Sequence, residues 1–374
     1  MSWKKEALTS ALSSIRISGS STAITDKKYW RNVVCFGDEV HLDLNIDNPT
    51  LQAKKKLESD IKSALLAINP KTVLKLKTLA IKPQVAKQSP IKANSLDGVK
   101  QIIAIASGKG GVGKSTVSAN LACALAKSGK KVGLVDADIF GPSIPIMFDV
   151  EHERPLMTEV DGKQKIKPIE SHGVKILSIG FFTQASKAVV WRGPMATKAL
   201  NQMLHDAHWG ELDYLLIDLP PGTSDIHLSL VQSVPVDGAV IVSTPQKIAI
   251  ADAKKGVDMF QMETINVPIL GLVENMAYFS PEELPDNKYY IFGMNGIKNL
   301  AEDMAMPFLG EIPLVQSIRE ASDAGRPAVL QNNTPSAKAY QNLAKAVVVE
   351  AQKRQENLDA TEMVKITNMD GCSS

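Results

Sequence analysis

Gly108-Lys109-Gly110-Gly111-Val112-Gly113-Lys114-Ser115-Thr116 stands directly behind the apolar run Ile102-Ile103-Ala104-Ile105-Ala106. It has the form G-x-x-x-x-G-K-[ST], with a strand leading in and a helix following. Val117, Leu121, Ala124 and Leu125 recur at helical spacing, and Gly129 is placed to end the helix. A loop of this kind binds the phosphates of a nucleoside triphosphate. Gly110, Gly111 and Gly113 allow positive φ and let backbone N–H groups approach phosphate oxygens with no Cβ in the way. The helix N-terminus adds its partial positive charge. Lys114 supplies a mobile charge for the β- and γ-phosphates, and the Ser115 hydroxyl completes the shell of a Mg²⁺ ion.

Working outward, two further strands run into carboxylates. Lys131-Val132-Gly133-Leu134-Val135-Asp136-Ala137-Asp138 is followed by a Gly141-Pro142 break, and Tyr214-Leu215-Leu216-Ile217-Asp218 repeats the design before Pro220-Pro221-Gly222. In a parallel α/β sheet such residues lie at the carboxyl ends of the strands, where ligands bind. Asp218 takes the place of a Walker B aspartate, which holds Mg²⁺ through water, and Asp136 reads as an organiser of the following loop. Any one of these carboxylates could instead cap the next helix; the set in this order fits a nucleotide site better.

Beyond the loop, apolar stretches at 102–106, 132–136, 175–180, 214–218, 238–243, 268–273 and 308–311 alternate with helical ones. Their hydrophobicity is continuous rather than alternating, as in strands covered on both faces. The fold class is therefore α/β: a doubly wound, mostly parallel sheet over 101–356, closed by a helix near 335–356 and followed by a flexible tail, 357–374. Ahead of it, 83–100 reads as a polar, proline-bearing linker. Residues 1–82 read as a small α+β domain. It has a helix at 3–16, a hairpin turning at Gly37-Asp38, a helix after Asp47-Asn48-Pro49 and a strand near Val73–Ile81. The Lys54-Lys55-Lys56 cluster on that second helix is read as a solvated face.

Composition sets the outer limits. The chain of 374 residues is 44% hydrophobic, enough for a large core, and its net charge of +2 gives no broad argument for nucleic acid. No apolar run approaches the roughly 20 residues that span a bilayer, and the N-terminus has no apolar leader. A soluble, cytoplasmic protein without membrane or nucleic-acid partners is expected. Cys35, Cys123 and Cys372 are too few and too scattered for a disulfide framework.

The loop from Ser107 to Thr116, Asp136-Ala137-Asp138-Ile139-Phe140-Gly141-Pro142-Ser143, Trp191-Arg192-Gly193-Pro194-Met195, Asp218-Leu219-Pro220-Pro221-Gly222-Thr223-Ser224-Asp225 and Glu311-Ile312-Pro313-Leu314 together resemble the Mrp/ApbC family of iron–sulfur cluster carrier ATPases. These belong to the deviant P-loop class that includes MinD and ParA. The resemblance covers 100 to about 350, and 1–82 is similar to the iron–sulfur-assembly domain that precedes many bacterial members. It implies slow, Mg²⁺-dependent ATP hydrolysis and a nucleotide-sandwich homodimer that carries a [4Fe–4S] cluster to apo-proteins, alongside assembly factors. It implies that Lys109 reaches phosphates held by the partner subunit, where the bare residue could equally be a solvated charge, and that Asp138 positions the attacking water. It assigns Asn275, in Val273-Glu274-Asn275-Met276, to the adenine base; a polar strand-end residue is the other reading. Trp191, Arg192 and His227 stand either for a switch surface or for packing.

One departure bears on function. Most members of the family carry Cys-x-x-Cys shortly after the Glu-Asn-Met segment, whereas Tyr278-Phe279-Ser280-Pro281-Glu282-Glu283-Leu284-Pro285-Asp286-Asn287-Lys288-Tyr289-Tyr290-Ile291-Phe292-Gly293 has no cysteine. A cubane cluster normally takes four thiolates. Cys123, on the apolar stripe of the loop's helix, and Cys35, beside the hairpin turn, read as packing residues. Cys372, in a polar tail, is either an incidental residue or a displaced cluster ligand, two copies meeting in a dimer with client thiols, small thiols or Glu282 and Glu283 completing the set. Three classes compete: an ATP-dependent cluster carrier, a MinD- or ParA-like positioning ATPase without a cluster, and a nucleotide-dependent reductase. A scaffold using ATP only to hold a dimer is a fourth.

Overall fold

The run Ile102–Ala106 is buried throughout, and in a computed structural model of the chain it forms a middle strand of an eight-stranded sheet. The structure describes residues 5–16, 23–26, 29–46, 51–80, 96–139, 141–182, 193–263, 265–281, 283–284 and 286–358. Phe140, Trp191, Arg192, Glu282 and Cys372 lie outside the described residues, as do 81–95, which take in most of the expected linker, and the tail from 359. The chain divides into two compact units, Met1–Ile91 and Lys92–Ser374.

In the first unit, α1 (Lys5–Leu12) precedes β1 (Trp30–Phe36), β2 (Glu39–Ile46), α2 (Leu51–Ile68) and β3 (Val73–Ala80). β1 and β2 are antiparallel, and β2 and β3 are parallel with α2 as the crossover. Val40, Leu42 and Leu44 alternate onto one face of the sheet. There they meet Leu57, Ile61 and Leu65, spaced four apart along α2, and Leu8 and Leu12 of α1. Lys55 and Lys56 lie on the exposed side of α2.

The second unit contains β4 (Val99–Ala106), α3 (Lys114–Lys127), β5 (Val132–Asp136), α4 (Ile144–Met147), β6 (Leu156–Val160), β7 (Lys163–Lys167), β8 (Ile169–Ser171) and β9 (Val174–Ser178). It continues with α5 (Gly193–His205), β10 (Leu212–Asp218), α6 (Asp225–Ser233), β11 (Gly238–Ser243), α7 (Lys247–Gln261), β12 (Ile269–Glu274), α8 (Gly296–Asp303), β13 (Phe308–Glu311), α9 (Gln316–Asp323) and α10 (Pro335–Asn357). The sheet order is β13-β12-β11-β4-β10-β5-β9-β8, parallel except for β8 at one edge. The first strand, β4, starts at Val99, which pairs with Leu212, so the sheet begins just ahead of the apolar run.

Alternation along β4 sends Ile102, Ala104 and Ala106 to one layer and Ile103 and Ile105 to the other. Leu200 of α5, Leu230 of α6, Val257 of α7 and Ile297 of α8 close the first layer. Leu121 and Leu125 of α3 and Leu343 and Val347 of α10 close the second. A truncation inside either layer, such as Ile103→Ala, costs about 2–5 kcal/mol. The chain passes from β4 to β5 on one side and from β10 to β11 on the other, so β4 and β10 flank the reversal of strand order. In such sheets the carboxyl ends at this point form a crevice for ligands.

The hairpin β6–β7 falls in a region with no expected strands. Its turn is Asp161-Gly162, both at positive φ (51° and 74°), the dipeptide of a tight hairpin. Its residues are mostly exposed, so it has no apolar run to announce it.

Candidate functional site

The segment 107–113 leaves β4 and enters α3 at Lys114. Gly113 has φ 79° and precedes the helix without a side-chain cap, which leaves first-turn N–H groups directed outward. A Cβ on Gly113 would stand 2.2 Å from Asn275 Nδ2. A Cβ on Gly108 would stand 2.1 Å from the backbone oxygen of Asp252 in α7. Both glycines are thus required by close approach, one of a side chain and one of the main chain.

Three buried carboxylates and one buried ammonium meet at the strand ends. Lys114 Nζ lies 2.8 Å from Asp218 Oδ1 and 3.7 Å from Asp138 Oδ2, and donates to Ser115 Oγ at 3.2 Å. The Ser115 hydroxyl donates to Asp218 Oδ2 at 2.6 Å, and the Ser118 hydroxyl to Asp218 Oδ1 at 2.6 Å. Asp218 is fully buried and Lys114 is 5% exposed. Hydroxyl and carboxylate oxygens so close together are hard ligands of the kind Mg²⁺ takes. Ser118 was not expected from the sequence; its only signal is a serine four residues beyond Lys114, one helical turn along the same face.

Asp136 accepts hydrogen bonds from the Asp138 N–H (3.2 Å), the Ile144 N–H (3.3 Å) and the Ser178 hydroxyl (2.9 Å). Its carboxylate therefore gathers both ends of the stretch from Asp138 to Ile144. Burial, reinforced by the Asp218 charge, pushes its carboxyl above the usual carboxylate range. Ser178, at the end of β9, is a second partner that the sequence did not flag.

Asn275 follows β12 and is buried; its Nδ2 donates to the Val112 carbonyl at 2.8 Å. The amide group that the resemblance assigns to the adenine base is here engaged with the phosphate loop. Its neighbour Glu274 accepts the Ile297 N–H at 2.7 Å, at the start of α8. Between them the chain runs out through 276–295, entered at Met276 (φ 53°) and left at Asn295 (φ 57°). Within this excursion Phe279 pairs with Tyr289, Tyr278 packs edge-on to Tyr290, and Lys288 sits 3.9 Å over the Tyr278 ring while 3.5 Å from Glu311.

The other expected residues are distributed as follows. Lys109 is half-buried in the loop, and its carbonyl accepts the Ser107 hydroxyl at 3.0 Å. Gly110 and Gly111 are exposed, Val112 is buried, and Thr116 is half-buried with its carbonyl accepting the Asn120 amide. Cys123 is fully buried, which pushes its thiol up to about 12, and Cys35 is half-buried with its thiol also raised by burial. Neither presents a thiolate. Among the described residues no group of three or more His, Cys, Asp or Glu side chains is arranged to hold a metal, and no helix is long and apolar enough to cross a membrane.

Comparison with known proteins places this geometry in context. Residues 98–348 match the family described as ParA, NUBPL iron-transfer P-loop NTPase. The chain is 43% identical over 329 residues to an iron-sulfur cluster carrier protein of Escherichia coli, spanning 87% of each chain. It is 45% identical over 280 residues to an iron-sulfur cluster transfer protein of Dictyostelium discoideum, spanning 74% of this chain and 85% of that one. A nucleotide-binding protein of Archaeoglobus fulgidus, solved with ADP, superposes with a TM-score of 0.55 at 40% identity, covering 64% of this chain and 91% of that one.

Proposed function

This chain belongs to the family of ParA-related, NUBPL-type iron-transfer P-loop NTPases, and from that premise we propose that it is an ATP-hydrolysing iron–sulfur cluster carrier or assembly factor working as a nucleotide-sandwich homodimer. The carrier and transfer proteins among its relatives support the cargo. ADP on the Archaeoglobus protein supports the nucleotide. The observation that carries the reading is the set formed by half-buried Ser115 with buried Lys114 and Asp218 at the mouth of the glycine loop.

On this reading the backbone N–H groups of 108–116 bind the phosphates, and Lys114 turns from Asp218 to the β- and γ-phosphates. Ser115 and Asp218 then hold Mg²⁺, which when bound neutralises charge on the phosphate oxygens. Asp138 orients the attacking water. Lys109 reaches across to nucleotide in the partner subunit. Asn275 keeps the loop in shape and offers its amide towards the base. Hydrolysis relaxes the segments after Asp138 and Asp218, and so changes how the dimer grips cargo or client.

The cluster is cargo, and Tyr278–Gly293 contains no thiol to hold it. The sequence offers Cys372 in its polar tail, and two copies would supply half of a cubane's thiolates. Apo-protein clients, small thiols or carboxylates such as Glu282 and Glu283 would supply the rest. The test is iron and acid-labile sulfide per dimer after anaerobic reconstitution, in the wild type and in Cys372→Ser. A stoichiometric cluster lost in the variant supports a carrier with a displaced ligand. No cluster in either leaves an ATPase that assists assembly without holding the cargo, and reopens the second reading, a regulatory or positioning ATPase of the MinD or ParA kind, for which the thiol-free excursion speaks.

A further inference from the structure

His227 is a buried ionisable residue to which the hydrolytic cycle gives no task. It stands at the third position of α6, whose N-cap is Ser224 in extended conformation (φ −105°, ψ 166°). The Ser224 N–H donates to His227 Nδ1 at 3.2 Å, the Ser224 hydroxyl is also 3.2 Å from Nδ1, and the His227 N–H donates to the Ser224 carbonyl at 3.0 Å. This is a capping box with an imidazole where glutamate or glutamine usually stands. Nδ1 also lies 3.1 Å from the Ser224 carbonyl oxygen, so the ring engages the Ser224 main chain in either tautomer, accepting from its N–H or donating to its carbonyl.

The second ring nitrogen, Nε2, is buried without a hydrogen-bond partner among the described residues, and the ring is fully buried edge-on to Phe260 at 6.1 Å. An unpaired buried polar nitrogen, donor or acceptor, costs about 1–3 kcal/mol. An apolar side chain would fill the same space without that penalty, so packing does not account for the imidazole. What the ring holds is the end of the turn 219–224. The start and middle of that turn are held by the strand that feeds the phosphate loop: the Leu219 N–H donates to the Ile105 carbonyl at 3.0 Å, and the Gly222 N–H to the Ser107 carbonyl at 2.8 Å. Phe260 belongs to α7, the helix whose Asp252 backbone fills the space beside Gly108. The clamp on Ser224 thus leans on the same helix as the first glycine of the loop.

We propose that His227 is a positioning residue for ATP hydrolysis: it clamps Ser224 and so sets the turn that follows Asp218 against the phosphate loop. The inference rests on the hydrolytic reading above. His227 itself transfers no proton. Burial, opposed by the hydrogen bond to the Ser224 carbonyl and aided by the Lys114 charge, pushes the imidazole down to about 4, so it is neutral at working pH.

Steady-state ATPase rates and nucleotide affinities of the wild type, His227→Gln and His227→Leu test it. Glutamine restores the usual capping-box acceptor and retains kcat within about threefold, whereas leucine lowers kcat about tenfold or more at nearly unchanged nucleotide Kd. The kcat–pH profile of the glutamine variant keeps the wild-type shape between pH 6 and 9. Equal kcat in wild type and a folded leucine variant overturns the clamp, as does a glutamine variant no better than leucine, or a loss shared equally by kcat, Kd and thermal midpoint. If the leucine variant does not fold, hydrogen exchange of the wild type decides: a protected Ser224 amide supports the clamp, and exchange at the unprotected rate overturns it. A wild type that binds ATP but never hydrolyses it sinks the hydrolytic reading instead, and this role with it.

Discussion

Lys114 Nζ and Asp218 Oδ1 are 2.8 Å apart, so the ammonium suited to phosphate and the carboxylate suited to metal neutralise each other. Both are buried, and the pair is a substitute for the charges a nucleotide and its metal would bring. Loading the site then exchanges partners rather than burying new charge. Lys114→Met should reduce ATP binding and hydrolysis to background. It should also lower apo stability by about 3–5 kcal/mol, because the Asp218 charge is left buried and uncompensated. Adding Asp218→Asn should return much of that stability without restoring activity. Urea unfolding of the single and double variants checks this; an Asp218→Asn that adds a further full loss means the pair is not coupled.

Ser118 donates to the same Asp218 oxygen that meets Lys114. Ser118→Ala should cost about 1.5–3 kcal/mol of stability, the range for a hydrogen bond to a charged group. It should also shift the Mg²⁺ dependence of hydrolysis to higher concentration, because Asp218 loses the bond that fixes its orientation. A magnesium titration identical to that of the wild type would show that Ser118 serves stability alone.

Gly113 and Gly108 should respond differently to the same change. Gly113→Ala places its methyl against Asn275 Nδ2, a side-chain atom, at a φ that costs roughly 1–2 kcal/mol for an L-residue. Gly108→Ala meets the main chain of Asp252 and Ala253. Nucleotide binding should be lost in both, and Asn275→Ala should recover part of it for Gly113→Ala and none for Gly108→Ala. Calorimetric titration of ADP into the four variants decides the matter.

Acid stability should carry the mark of His227. Its folded value, about 4, lies below the unfolded 6.5, so the unfolded chain takes up a proton first as pH falls. Stability is full above about 6.5 and is lost towards 4, by about 2 kcal/mol at pH 5. His227→Gln should remove that part of the slope. Denaturant unfolding at pH 7 and pH 5 measures it, and parallel slopes in the two proteins would contradict the depressed imidazole.

The strand–loop–helix unit around Lys114 and the order of the aspartates were legible because each is local: an apolar run, then glycines or a carboxylate, then a helical period. The hairpin β1–β2 was likewise marked locally, by the turn at Gly37-Asp38. What escaped was non-local or polar. Ser118 gains its meaning from Asp218, 100 residues away, and Asn275 from Val112, 163 residues away. Neither distance leaves a trace in spacing. The hairpin β6–β7 escaped because its strands are mostly exposed, although the dipeptide Asp161-Gly162 was there to mark its turn.

Glu274 and Asn275 stand side by side, one fixing the start of α8 and the other the phosphate loop. The stretch between Met276 and Asn295 is therefore moored at both ends by contacts that do not depend on its own side chains. Fuel and freight are separable in this architecture. The interior of that stretch can trade thiols for aromatics, or the reverse, without disturbing the machinery that binds the nucleotide. A grafted Cys-x-x-Cys between Ala277 and Gly293 should accordingly leave ADP affinity where it was, and lineages sharing one engine are free to differ in what they haul.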